Sequence, residues 1–183
     1  MTASLPPRPA SAVSVEDVLA GRRSVRNFSN AGLSLDGAAQ LLWAAQEITH
    51  SEGLRAAIRW RFTSSPALSP HCRPAFTGTD WSAPSPATDG EIWPPQAPPE
   101  LDCRCPVVVI AAMFRRTSVK YGERGGRYVH IEAGHAAENV CLQAVALGLG
   151  TTVVGAFSDV EVKRLLGLGE EEPLLLIPVG KPG

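Results

Sequence analysis

The stretch from Lys120 to Leu149 constrains this chain more than any other, because its two halves ask for different structures. Its first part, K-Y-G-E-R-G-G, concentrates polar residues and glycine and reads as a loop. Residues 128–147 then read as one long helix offering small residues for close packing, with Ile131, His135, Val140, Leu142, Val145 and Ala146 as inward candidates. Leu147-Gly148-Leu149-Gly150 closes that helix, since glycine accepts the left-handed backbone at a helix end.

On either side of this helix lie short apolar runs. Val107-Val108-Val109-Ile110-Ala111-Ala112 is continuous and rich in β-branched residues, as a buried strand requires. Thr151-Thr152-Val153-Val154 predicts a second strand, and residues 173–179 a third. Between these two, Asp159 is placed to cap a short helix over residues 160–166. Upstream, Ser14 predicts an N-cap ahead of the acidic turn Glu16-Asp17, in a helix that ends near Gly21. Ser34-Leu35-Asp36 opens another, running to about Gln46, with Ala38, Ala39, Leu41, Leu42 and Ala45 at helical spacing.

Residues 56–105 differ from everything else. With Pro106 included, the segment holds ten of the sixteen prolines, and it carries three of the four tryptophans and three of the four cysteines. No sustained helix or strand period is expected there, so it reads as an irregular, Pro-rich segment inside a single domain of residues 1–183. At 183 residues, 44% hydrophobic and 19% charged, the chain suffices for one domain with its own core.

Charge and cysteines narrow the function classes. A net charge of −1 without a basic stripe leaves nothing to neutralise a phosphate backbone, so no nucleic-acid partner is expected. The N-terminus M-T-A-S-L-P-P-R-P-A has neither a basic nor an apolar leader region, and no apolar run approaches a membrane span. The expectation is a cytoplasmic protein with no membrane partner. Cys103-Arg104-Cys105 is C-x-C rather than C-x-x-C, and Cys141 falls in an apolar helical pattern, so no metal site is expected. Glu132 and His135 lie three apart on a helix but lack further ligands, and His135 reads as a packed structural residue.

Four short motifs carry chemistry. Arg22-Arg23-Ser24-Val25-Arg26 places three guanidinium groups and a hydroxyl within five residues, a donor set suited to phosphate or to a solvated basic turn. Val154-Gly155-Ala156-Phe157-Ser158-Asp159 stands between a strand and a helix, where small residues let backbone approach a planar ligand. Gly180-Lys181-Pro182 adds a late cation. Lys120-Tyr121-Gly122-Glu123-Arg124-Gly125 offers a base and a phenol side by side.

Taken together, these motifs resemble the nitroreductase-like flavoproteins, and specifically their thiazole/oxazole-forming (SagB-type) dehydrogenase branch. The resemblance covers residues 14–55 and 106–182. It implies an α+β fold with a mixed sheet flanked by helices, and FMN bound at a homodimer interface. It further implies that Arg22, Arg23, Ser24, Arg26 and Lys181 hold the FMN phosphate and ribityl end, while Gly155 and Ala156 face the flavin ring. Lys120 and Tyr121 are implied to remove a proton from a peptide azoline or similar small substrate during its dehydrogenation. Glu138 stands where relatives often carry Gln.

Two departures leave alternatives open. Relatives carry a P-S-A-G-A-L loop and a following strand after a stretch like Gly53-Leu54-Arg55-Ala56-Ala57, whereas here Ile58-Arg59-Trp60-Arg61-Phe62-Thr63 follows. Tryptophan's codon TGG followed by an arginine codon CGN reads GGC, glycine, one base further on. A frame shift across these six residues therefore allows Ser-Ala-Gly-Ala-Leu, with the frame restored near Cys105-Pro106. The segment is thus either a genuine insertion or an out-of-frame stretch. Besides the azoline dehydrogenase, the sequence leaves open an NAD(P)H-dependent nitro or quinone reductase and a cofactor-free pseudoenzyme.

Overall fold

All six residues of strand β3 (Val107–Ala112) are buried, because both faces of the sheet at this strand are covered. Val108, Ile110 and Ala112 join a core with helices α2 (Leu35–Ala45) and α4 (Gly125–Ala146). Val107 and Val109 join a second core with Val162 and Leu166 of helix α5 (Asp159–Leu166). That two-sided cover explains why the strand reads as an unbroken apolar run.

The computed structural model describes residues 10–29, 31–45, 58–63, 80–81 and 106–183. The sheet has the order β2-β1-β3-β5-β4, formed by β1 (Ile58–Thr63), β2 (Asp80–Trp81), β3, β4 (Gly150–Thr151) and β5 (Glu172–Gly180). Neighbouring strands pair antiparallel, and a parallel bridge, Ser24 to Thr151, joins the β4 edge. Helices against an antiparallel sheet make an α+β fold.

Local signals explain most of the elements. Ser14 caps α1 (Val15–Gly21) by accepting from the Asp17 N–H at 3.1 Å. In α2, Leu41 and Leu42 are fully buried, each worth about 1.5–3 kcal/mol relative to exposure. α4 ends as its glycines foretell, with Gly148 at φ +69°. The cap of α5 lies one residue earlier than expected: Ser158 accepts from the Glu161 N–H, and Asp159 is the first helical residue.

Three expectations are corrected. Residues 58–63 and 80–81 form strands within the segment expected to be irregular, and β1 pairs with β3 along its whole length. Strand β1 thus occupies the six residues that stand where relatives carry the loop; the rest of that segment, with Cys72, Cys103 and Cys105, lies outside the described residues. K-Y-G-E-R-G-G is not a loop: Lys120 and Tyr121 end helix α3 (Phe114–Tyr121), a 3₁₀ turn spans Gly122–Arg124, and α4 starts at Gly125. Finally, Ile131 and His135 point away from the core. The inner face of α4 is made of Val129, Ala133, Ala136, Ala137 and Ala144, together with the expected Val140.

Candidate functional site

The basic motif begins where α1 stops. The Arg22 N–H bonds the Val18 carbonyl at 3.0 Å while Arg22 itself is extended, so the chain leaves the helix there. Arg23 Nη1 donates to the carbonyls of Ala20 at 3.0 Å and Arg22 at 2.7 Å. Its guanidinium therefore satisfies the open carbonyl end of α1, a capping role.

From Ser24 the chain runs along the sheet edge. The Val25 N–H donates to the Thr151 carbonyl at 2.8 Å, and a Cβ on Gly150 would meet the Val25 side chain at 2.7 Å. Only glycine lets the two backbones approach this closely. Further along, Phe28 bridges Pro182, the Ser29 N–H donates to the Lys181 carbonyl at 2.9 Å, and the Gly183 N–H donates to Asn27 at 3.1 Å. Gly180 lies beneath Phe28, and β4 pairs Gly150 with Gly180.

Residues far apart in sequence thus meet at one corner. The edge segment carrying Ser24 and Arg26 is bonded directly to the segment carrying Lys181, and all three of these residues are exposed. Arg22 is half-buried beside them, its Nε 3.6 Å from Oε1 of Glu138 on α4. Beneath, burial pushes the Cys141 thiol pKa up, while a side-chain hydrogen bond with Thr151 works the other way. Cys141 is the described cysteine and is free. The corner is a cluster of cationic and hydroxyl donors suited to a phosphate.

Gly155 and Ala156 continue from the same edge. Val154 and Leu176 exchange two backbone hydrogen bonds of 2.8 and 2.9 Å, which hold this turn against β5. Both small residues are exposed, and a Cβ on Gly155 would find Leu175 no nearer than 4.0 Å. Gly155 is four residues from Thr151 and so lies within roughly 14 Å of it. A planar group anchored at the corner by a phosphate has backbone to rest on here.

Lys120 and Tyr121 are not brought to that corner. Lys120 Nζ lies 5.3 Å from the Tyr121 ring centroid, and the Tyr121 ring meets Tyr128 of α4 edge-on at 5.0 Å. The corner between α3 and α4 is tight: a Cβ on Gly125 would meet Ser118 Cα at 2.7 Å. Tyr128 and Glu138 are ten residues apart on α4, or roughly 15 Å along its axis. Both Lys120 and Tyr121 are exposed.

Among the described residues no group of three or more His, Cys, Asp or Glu is placed to hold a metal ion, and Glu132 with His135 has no third such partner there. Glu132 is half-buried, and its carboxyl pKa is raised chiefly by that burial, with His135 pulling it down. His135 is exposed rather than packed. Among the described residues no helix is long and apolar enough to cross a membrane. The Arg22–Glu138 pair escaped sequence reasoning because its partners lie 116 positions apart; Gly150, read in the sequence only as part of a helix end, belongs to β4 and permits the close approach to Val25.

Comparison with known proteins agrees with this architecture. The family model described as "Nitroreductase family" matches residues 19–181. A protein of Methanocaldococcus jannaschii, provisionally named a nitroreductase, is 36% identical over 182 residues, spanning 92% of this chain and 91% of that one. Among solved structures, a provisionally named nitroreductase of Ralstonia eutropha aligns with a TM-score of 0.69 and 23% identity, covering 100% of this chain and 89% of that one. The NADPH:FMN oxidoreductase of Vibrio harveyi, complexed with NAD+, aligns with a TM-score of 0.61 and 14% identity, covering 92% of this chain and 68% of that one. These two share the fold.

Proposed function

The chain belongs to the nitroreductase family of oxidoreductases, and from that premise we propose that it binds FMN at the corner where residues 22–26 meet Lys181. The observation that carries this reading is the direct backbone bonding of the two cationic segments. Arg22, Ser24, Arg26 and Lys181 hold the phosphate and ribityl end, and Gly155 with Ala156 offers open backbone to the ring. Arg23 supports them by fixing the end of α1. When bound, FMN supplies the two-electron redox centre.

Lys120 and Tyr121 carry the finer reading, in which a base removes a proton from a peptide azoline during its dehydrogenation. Their exposure and their distance along α4 from Arg22 fit a site completed by a second copy of the chain, so the active form is a homodimer. The exposed line Tyr128, Ile131 and His135 on α4 supplies a face for that contact. The same separation favours a second reading, reduction of a nitro or quinone substrate by NAD(P)H, which needs the corner but not Lys120 and Tyr121.

FMN titration tests the common core of both readings. Arg22→Ala and Lys181→Ala each weaken FMN binding, by about tenfold or more for the loss of a charge-assisted contact. Unchanged affinity in both variants removes the corner as the phosphate site. The out-of-frame reading of residues 58–105 is tested by the coding DNA: absence of a shifted frame encoding an S-A-G-like loop ends it.

A further inference from the structure

The corner that gathers Arg22, Ser24, Arg26 and Lys181 also holds one anionic side chain that phosphate binding does not need. Glu138 projects from the exposed side of α4, with Oε1 3.6 Å from Arg22 Nε, and the two side chains are 51% and 40% exposed. A separation of 3.6 Å is beyond hydrogen-bond length, so this pair attracts through charge without fixing the orientation of the guanidinium. Neither partner is locked by burial, which leaves Arg22 free to exchange one anion for another.

From this geometry we infer that Glu138 is a built-in competitor for the cofactor phosphate, occupying Arg22 until the phosphate displaces it. The inference rests on the proposed FMN reading and names the residue of this chain that tunes retention. Two effects act in the same direction. Phosphate must give up or share the Arg22–Glu138 attraction to gain Arg22, and once seated it lies well within a Debye length of the Glu138 carboxylate, which repels it. The ion pair is exposed and single, so its influence is bounded at about the value of a surface salt bridge. Glu138 therefore makes FMN bind several-fold more weakly than the cationic donors alone allow. It does so through the phosphate only, and flavin lacking a phosphate does not sense it.

The alternative is that Glu138 positions Arg22 for the phosphate, and the sign of one substitution separates the two. FMN and riboflavin are titrated, by quenching of flavin fluorescence, into the cofactor-depleted full chain and its Glu138→Gln, Arg22→Ala and double variants at low salt. Circular dichroism checks that each variant keeps its helices. The expected result is FMN binding about two- to fivefold tighter in Glu138→Gln, riboflavin binding unchanged, and no gain from Glu138→Gln once Arg22 is alanine. Raising the salt concentration shrinks the gain. Equal or weaker FMN binding by Glu138→Gln, with Arg22→Ala still impaired, overturns the inference and leaves the corner as the phosphate site. A gain that persists without Arg22, or that extends to riboflavin, also overturns it. No FMN binding by the parent chain overturns the phosphate assignment and the inference together, and no effect of Arg22→Ala overturns the inference and takes Arg22 out of the phosphate site.

Discussion

The Ser29 N–H donates to the Lys181 carbonyl at 2.9 Å, joining the segment that follows the basic motif to the last turn of the chain. With the Val25 bond to Thr151, it makes residues 24–29 an edge segment rather than a solvated turn. The cationic side chains are consequently held by backbone hydrogen bonds to β4 and to the segment after β5, a more rigid footing than a free loop.

Gly150→Ala tests that footing. The added Cβ falls 2.7 Å from Val25 Cβ and Cγ2, so either the edge segment or β4 must shift. Thermal unfolding should show a loss of about 1–3 kcal/mol, and Val25→Ala in the same chain should restore part of it. A fully stable Gly150→Ala protein contradicts the close approach.

Some of this was legible in the sequence, and the failures have physical causes. Ser14 before an acidic turn and the apolar run 107–112 foretold α1 and β3, because a cap and a two-sided burial each leave a local signature. The inner face of α4 was misplaced because alanines carry it: Ala133, Ala136, Ala137 and Ala144 let the sheet approach, while larger Tyr128 and Ile131 stay outside. Hydrophobicity placed Val140 inward correctly and Ile131 wrongly. Glycine density disguised the α3–α4 corner as a loop, although Gly125 is needed there for the contact with Ser118. The alternation of Ile58, Trp60 and Phe62 with Arg59, Arg61 and Thr63 has the strand period and was hidden among prolines. The motifs at 22–26 and 181 were each visible, but their meeting depends on long-range bridges that no local pattern encodes.

Arg23 and Arg22 should separate in experiment. Arg23 caps α1, so Arg23→Ala costs no more than about 1 kcal/mol of stability and changes FMN affinity by less than about threefold. Arg22→Ala does the reverse. Equal losses of FMN affinity in the two variants contradict this division of roles.

Glu132 predicts a pH dependence. Burial raises its folded-state pKa, so the folded chain holds the proton more tightly than the unfolded one. That contribution to stability is fully present below the ordinary glutamate pKa and is lost as pH rises through the raised value. Glu132→Gln should therefore gain on the parent as pH rises across this window and then hold a constant difference. Parallel stability curves for the two proteins contradict it.

Lys120→Ala distinguishes the dehydrogenase from the reductase reading. If Lys120 is the base, the variant keeps FMN and accepts electrons from an artificial donor, yet loses azoline oxidation by about 10²–10⁴-fold. The comparison is run in the parent chain and in one with the frame restored across residues 58–105. Equal azoline turnover with and without Lys120 favours the reductase.

In the proposed function the corner formed by residues 22–26 and Lys181 seats FMN. Its most direct measurement is the stoichiometry and affinity of FMN for the purified full chain, followed by flavin absorbance and fluorescence, beside riboflavin as the ligand without phosphate. The account predicts one FMN per chain, bound at least about tenfold more tightly than riboflavin, with that preference abolished in the Arg22→Ala, Lys181→Ala double variant. A chain that binds no flavin, or that holds FMN and riboflavin equally well, contradicts it.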